Sequence, residues 1–460
     1  MPRWMGFVWL VLMGAVFVGC TEGSKHQAEL GEDGTELSDG EVDVAALDAH
    51  DMEDVADVPA ENDLGVEVEV TDAGADGADH IDEESASDLE EDTVAPCERV
   101  PLAEDAPRLV VVAQPYRADA SKGQSYRTFW LSPEGDLSAE VQRFEMGRAM
   151  WGSIVFTSDG RLGFVAQEDG SVGVFRVGDD GVVTVVDAGY AGTYTGEVAL
   201  SADEEHLFLL NPNWVENGGA IYQVRIGCDG VLSDLHKVSD AKLARAMTVV
   251  PNATEGGRYA VAAAGLSPAG AEGASGHLVH IDAQGSLTYL GGVDAFGDDE
   301  ASVSAAAVTP DGRYFLVADN SGFASVPNRV AVVALDGPEP TVAQTLTPFD
   351  DPAAVVVSPY NNAAMVLALQ EDALWSFAYD PAAALPFEAR GQVAYQGPRP
   401  QLPGGAALLS RGPLRGLTLV TENAAVRRVR FTADGDIEDW GPTSMGEGYE
   451  AICGAIGVQP

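Results

Sequence analysis

The sequence predicts an all-β fold, a seven-bladed β-propeller with four strands in each blade. Three observations carry this prediction: a strand-turn-strand unit that recurs along residues 153–423, a period suited to a propeller blade, and a last strand in phase with the repeat. The unit is plainest in "AAVTPDGRYFLVADN", from Ala306, where an apolar run meets a Pro-Asp-Gly turn and a second apolar run follows. It returns as "SIVFTSDGRLGFVAQ" from Ser153, "EVALSADEEHLFLLN" from Glu197, "AMTVVPNATEGGRYAVAAAG" from Ala246, "AAVVVSPYNNAAMVLALQ" from Ala353 and "AALLSRGPLRGLTLVTEN" from Ala406. Taking Thr157, Ser201, Val250, Thr309, Ser358 and Ser410 as anchors, the spacings are 44, 49, 59, 49 and 52 residues. Within each unit two apolar strands precede an alternating third strand, a Gly-containing turn and a weaker fourth strand.

Closure follows from the two ends. A partial unit, "RLVVVAQPYRADASKGQSYRTFWLSPEGDLSAEVQRF", precedes the first anchor with three strand-like runs and no apolar run ahead of Arg108. At the other end "EAICGAIGVQP" is a strand with no unit behind it, and Gln459 falls 49 residues after Ser410, where the next anchor belongs. The C-terminal strand is expected to complete the first blade, which leaves no unpaired inner edge. Six or eight blades are the alternative counts.

The N-terminal residues stand outside this pattern. "MPRWMGFVWLVLMGAVFVGC" has a cation at Arg3, an apolar run from Met5 to Val18 and Gly19-Cys20 at its end, a secretory signal too short to span a bilayer. Gly19-Cys20 resembles the lipobox of bacterial lipoproteins, with Phe17 where Leu is usual. That resemblance implies that Cys20 becomes the lipidated first residue and anchors the chain to the bacterial outer membrane, facing the periplasm or the surface. An ordinary signal peptide that happens to contain a Cys is the alternative.

Residues 21–96 hold 27 Asp and Glu, one basic residue, Lys25, and no Phe, Trp or Tyr. Such a segment cannot bury enough apolar surface to offset its ordering entropy and is expected to be a disordered, self-repelling acidic linker. The domain boundaries expected are therefore a signal peptide at 1–20, a linker at 21–96 and the propeller at 97–460. The propeller region holds 46 acidic and 23 basic residues, a balance that excludes a nucleic-acid partner.

The "SPDGR" type units, with third strands such as "VFRV", "VVALD" and "VRFTADG", resemble the lactonase-type seven-bladed propellers, a group including 6-phosphogluconolactonase-like and muconate-cyclase-like proteins. The resemblance covers nearly all of residues 100–460. It implies the fold, and by itself it does not assign a reaction.

Besides Cys20 the chain holds Cys97, Cys228 and Cys453. Cys453 lies in the closing strand, and about eleven residues separate Cys97 from the first blade, a reach of roughly 35 Å. A Cys97–Cys453 disulfide locking the closure is expected, with Cys228 left over as a buried or free thiol.

Candidate site residues come from two places. Loops between second and third strands are long after Gln114, Asn211, Gly265 and Asp319, and they would raise a wall carrying Tyr116, Arg117, Trp214, Glu216, Phe323 and Arg329, binding candidates for a protein or glycan partner. The starts of first strands offer Arg148, Glu197, Arg245, Glu300 and Glu450 around the channel. A lactonase-like reaction needs a cation against developing negative charge and a base, which Arg148 or Arg245 and Glu197 could provide. His277 and His280, spaced by three, cannot share one face of a strand. No zinc motif, phosphate loop, dinucleotide fingerprint, nucleophile elbow or calcium loop occurs, so no metal or cofactor is expected. The expected function is a lipid-anchored envelope module for binding or scaffolding. The rivals are an exported lactonase-like hydrolase or cyclase acting on a small sugar acid or lactone, and a carbohydrate-binding protein.

Overall fold

The computed structural model describes residues 97–460 except 117–121, 151, 187–194, 212–218, 241–243, 252–256, 266–275, 283–286, 297–302, 320–327, 338, 369–370, 401–403, 423 and 447–453. The signal and linker expectations lie outside the described residues. All regular structure among those described is β, and it forms a propeller of seven four-stranded sheets.

The first sheet joins β1 (Arg108–Tyr116), β2 (Lys122–Leu131) and β3 (Leu137–Glu145). Next come β4 (Val155–Phe156), β5 (Leu162–Ala166), β6 (Val172–Val177) and β7 (Val183–Val186), then β8 (Glu197–Leu200), β9 (His206–Asn211), β10 (Ala220–Ile226) and β11 (Leu232–Asp240). The fourth sheet holds β12 (Ala244–Pro251), β13 (Gly257–Gly265), β14 (Gly276–Asp282) and β15 (Leu287–Val293), and the fifth β16 (Val303–Val308), β17 (Tyr314–Asp319), β18 (Asn328–Ala334) and β19 (Thr341–Phe349). The last two hold β20 (Pro352–Val357), β21 (Ala363–Ala368), β22 (Ala373–Tyr379) and β23 (Phe387–Ala394), and β24 (Ala406–Leu408), β25 (Leu417–Glu422), β26 (Ala425–Phe431) and β27 (Ile437–Ser444). The C-terminal strand β28 (Ile456–Val458) pairs antiparallel with β1, Val110 opposite Val458, in the order β28-β1-β2-β3.

Neighbouring sheets pack face to face, and their innermost strands adjoin in the order β28, β4, β8, β12, β16, β20, β24 and back to β28. Residues on both faces of a second strand therefore meet another sheet, which is why β17, β21 and β25 are buried at every position. A representative cluster sets Leu316, Val330 and Val332 of one sheet against Val355, Val357, Phe377 and Tyr379 of the next. Each such aliphatic side chain contributes about 1.5 to 3 kcal/mol by leaving water.

The anchors work through a repeated local device. Thr157 Oγ donates to Asp159 Oδ1 at 2.6 Å and accepts the Leu162 N–H at 3.1 Å, while Asp159 Oδ1 accepts the Arg161 N–H at 3.0 Å. Ser201, Asp203 and His206 repeat this arrangement, as do Thr309, Asp311 and Tyr314. These side chains satisfy backbone donors that a tight turn would otherwise strand. The fourth residue of the turn must be left-handed: Gly160 has φ +65° and Gly312 +70°, whereas Glu204 takes +59° without glycine's freedom. Its carboxylate offsets the cost by accepting the N–H and Oγ–H of Ser158 at 2.8 and 3.0 Å and pairing with Arg99 Nε at 3.4 Å. Gln459, the anchor in the last strand, accepts the Leu109 N–H at 2.8 Å and donates to the Gly160 carbonyl at 2.8 Å.

The disulfide differs from expectation. Cys97 bonds Cys228, with 5.4 Å between the Cα atoms, so Cys228 is not left over and Cys97 is not joined to Cys453. Residues 97–107 run across the face that carries the anchor turns. Arg99 pairs there with Glu204 and lies 3.9 Å from Asp159, which sets Cys97 beside the β10–β11 turn rather than the closing strand. Cys453 lies outside the described residues.

Among the described residues, Arg427 and Asp319 are fully enclosed charged groups. Arg427 of β26 exposes none of its side chain; it pairs with Glu422, donates to Asp439 Oδ2 at 2.6 Å and to the Pro398 carbonyl, and stacks 4.8 Å over Tyr395. Its charge is matched and its donors used, the condition for burying a guanidinium.

Candidate functional site

The face opposite the anchor turns carries the loops between second and third strands and the starts of the first strands. Arg148, ahead of β4, is buried there: its Nε donates to the Pro115 carbonyl at 2.9 Å, its Nη1 pairs with Glu168, and its own carbonyl accepts the Glu168 N–H at 2.7 Å. Arg148 thus ties the end of β1 to the β5–β6 loop, and its charge is committed to Glu168.

Glu197 opens β8. Counting four residues back from each anchor gives Ser153, Glu197, Ala246, Ala305, Ala354, Ala406 and Ala455, so an ionisable side chain stands at one place in an otherwise small ring. Small residues suit strands that crowd the axis: a Cβ on Gly405 would lie 1.9 Å from the Gly152 carbonyl, and Ser153 Oγ reaches the Ala406 carbonyl at 3.3 Å. Glu197 Oε2 accepts the Met247 N–H of β12 at 2.9 Å, and Oε1 would lie 3.5 Å from a Cβ on Gly152. The carboxyl therefore links β8 to β12, on the side of the chain that enters β4 at Gly152. Burial pushes its pKa up to about 8, against a smaller downward pull from the Met247 N–H. Near neutral pH it is largely the protonated acid, able to donate a hydrogen bond as well as accept one.

A second carboxyl was missed by reading the sequence. Asp351 stands immediately before β20 with φ +61°; burial first, and the charge of Asp350 second, push it up to about 6. The available signal was the doublet Asp350-Asp351 directly ahead of a first strand.

The remaining candidates divide in two. Arg245 lies in β12 and Tyr116 ends β1, but their side chains are outside the described residues, as are Arg117, Trp214, Glu216, Glu300, Phe323 and Glu450 entirely. Arg329 of β18 is described: its Nη2 donates to the Phe296 carbonyl at 3.2 Å, its Nε lies 3.7 Å from Asp319 Oδ2, and the guanidinium sits 5.2 Å over the Phe296 ring. It joins strands and connections within the fold and is mostly enclosed. His277 and His280 fall in β14 opposite Ala263 and Ala260.

The anchor-turn face has a feature of its own. A groove of about 850 Å³ lies between residues 100–107, which bring Leu102 to it, and the first two sheets, which line it with Trp130, Leu137, Val177, Asp136 and Arg161. It is remote from Glu197, on the other side of the propeller.

No family model and no curated protein matches the chain. Solved structures do match in fold. A protein of unknown function from Desulfotomaculum acetoxidans is 17% identical with a TM-score of 0.53, over 77% of this chain and 99% of that one. The periplasmic gluconolactonase PpgL of Pseudomonas aeruginosa is 15% identical with a TM-score of 0.52, over 75% and 98%. A Bacteroides fragilis protein provisionally named 6-phosphogluconolactonase is 13% identical with a TM-score of 0.51, over 78% and 99%. At such identities the likeness is one of fold.

Proposed function

We propose that this chain is a lipid-anchored envelope protein whose seven-bladed propeller serves as a binding module for a protein or glycan partner. The observation that carries this reading is the commitment of Arg148. Its guanidinium is paired with Glu168 and bonded to the Pro115 carbonyl, so it holds the end of β1 to the β5–β6 loop instead of awaiting an anionic substrate. The export signal and the acidic linker support the same reading, since they would hold the propeller away from the membrane.

A second reading, a lactonase-like hydrolase acting on a small sugar acid or lactone, is favoured by Glu197. A carboxyl raised to about 8 at the axis of the propeller is a group suited to proton transfer. The fold likeness to the Pseudomonas aeruginosa gluconolactonase adds weakly to it.

The two readings separate in one experiment on the full chain. Hydrolysis of glucono-1,5-lactone is followed in a pH-stat for the wild type and for Glu197→Gln. The binding reading expects both to match the spontaneous rate, with partner cross-links forming at the loop face on intact cells. Turnover above background that disappears in Glu197→Gln would establish the hydrolase instead.

A further inference from the structure

The β8–β9 turn departs from its counterparts at positions able to do chemistry. Where it has Glu205 and His206, the equivalent turns have Arg161 and Leu162, or Arg313 and Tyr314. It thereby gathers Asp203, Glu205 and His206, one ligand atom from each lying within 4.8 Å of the others. Asp203 and His206 expose only 20% and 28% of their side chains. His206 Nδ1 is 3.9 Å from Asp203 Oδ1, beyond hydrogen-bond range, and it is buried without a hydrogen-bond partner. An enclosed ring nitrogen in that condition costs free energy until a proton donor, an acceptor or a metal ion engages it.

We propose that Asp203, Glu205 and His206 form a site for Zn²⁺ or a chemically similar divalent ion, with water completing the coordination. One imidazole with two carboxylates suits zinc better than the all-oxygen sets of calcium or magnesium. Ligand atoms bound at about 2.0 to 2.2 Å around one tetrahedral ion stand roughly 3.4 Å apart, so on binding the 3.9 Å Asp203–His206 separation closes by about half an ångström and the wider pairs, within 4.8 Å, by up to about 1.4 Å. Asp203 is already oriented, since its Oδ1 accepts the Ser201 hydroxyl at 2.7 Å and the Glu205 N–H at 3.1 Å. Nearby Glu204 pairs with Arg99, and Arg225 lies opposite His206 across the strands, so the local set is three carboxylates against two guanidiniums and still favours a cation. An ion here would tighten the turn to which Glu204 fastens the 97–107 segment, beside the Cys97–Cys228 disulfide.

The test uses the full chain with zinc chloride as the probe and thermal unfolding as the readout. Total zinc uptake would not discriminate, because residues 21–96 carry many carboxylates together with His26, His50 and His80. Zinc is expected to raise the wild-type Tm by several degrees and EDTA to reverse the rise. In Glu205→Gln and His206→Gln the zinc dependence of Tm should report affinity at least about tenfold weaker. Glu205 is an exposed side chain, so its variant keeps the fold, and an unchanged Tm without zinc verifies this. No zinc-dependent rise in the wild type, or the same rise in both variants, overturns the site. An equal rise with calcium overturns the role of the imidazole.

Discussion

Replacing Glu197 by Gln should stabilise the protein at alkaline pH and leave it unchanged in acid. The folded pKa is raised, from an ordinary value near 4.5 to about 8, chiefly by desolvation. Between those values the folded protein holds a proton that the unfolded chain releases, so stability falls as pH rises through the window. The penalty is absent below about pH 4.5 and complete above about pH 8. At about 1.4 kcal/mol per pH unit the shift corresponds to at most about 5 kcal/mol. Glu197 keeps some contact with solvent, and screening lowers the expected value to about 2 to 3 kcal/mol. Gln carries no charge, and its Oε1 can still accept the Met247 N–H. With a domain of this size shifting by about 2 °C per kcal/mol, Glu197→Gln should melt about 4 to 6 °C above the wild type at pH 8.5 and within a degree of it at pH 5. Differential scanning calorimetry at the two pH values measures this directly. Asp351, also raised, titrates in both proteins and cancels in the difference. A Tm difference independent of pH, or a less stable variant at pH 8.5, would refute the desolvated carboxyl.

Three further outcomes are expected. Cys228→Ser opens a loop of 131 residues and should cost up to about 5 kcal/mol in the entropic model, while peptide mapping of the oxidised wild type should recover Cys97 linked to Cys228. Arg427→Ala strands Glu422 and Asp439 in the interior and should cost about 3 to 5 kcal/mol by urea unfolding, whereas Arg427→Met with both acids made neutral should recover much of that loss. Glu204→Gly relieves a left-handed backbone but loses the bonds to Ser158 and Arg99; a net loss of about 1 kcal/mol is expected, with faster tryptic cleavage after Arg99, and a gain in stability would show that backbone strain outweighs those bonds.

Much of the architecture was legible because it is written locally. A Thr or Ser, an Asp two residues on and a Gly or αL residue next make a turn whose hydrogen bonds close within six residues, as at Thr157 and Thr309. Apolar runs on either side supply second strands buried on both faces. Phase was legible too: Gln459, placed by counting from Ser410, holds the Leu109 N–H and the Gly160 carbonyl. The site was partly legible, since Glu197 stands out as an acid at a small-residue position, whereas Asp351 does not, its doublet reading equally well as a solvated turn.

What the sequence determined by itself was therefore the repeat, the strand order within each sheet and the pairing of the last strand with the first, because hydrophobic period and turn chemistry act between near neighbours. Only the tertiary structure decided the partner of Cys97, the fate of Arg148 and Arg329, and the protonation of Glu197. Each depends on which groups from distant segments come within a few ångströms: the β10–β11 turn beside Cys97, Glu168 and Pro115 around Arg148, Phe296 under Arg329, and the packing that takes water from Glu197 against the weaker pull of the Met247 N–H. A charge's cost or worth is set by the water it loses and the partner it finds, and neither is recorded in the spacing along the chain.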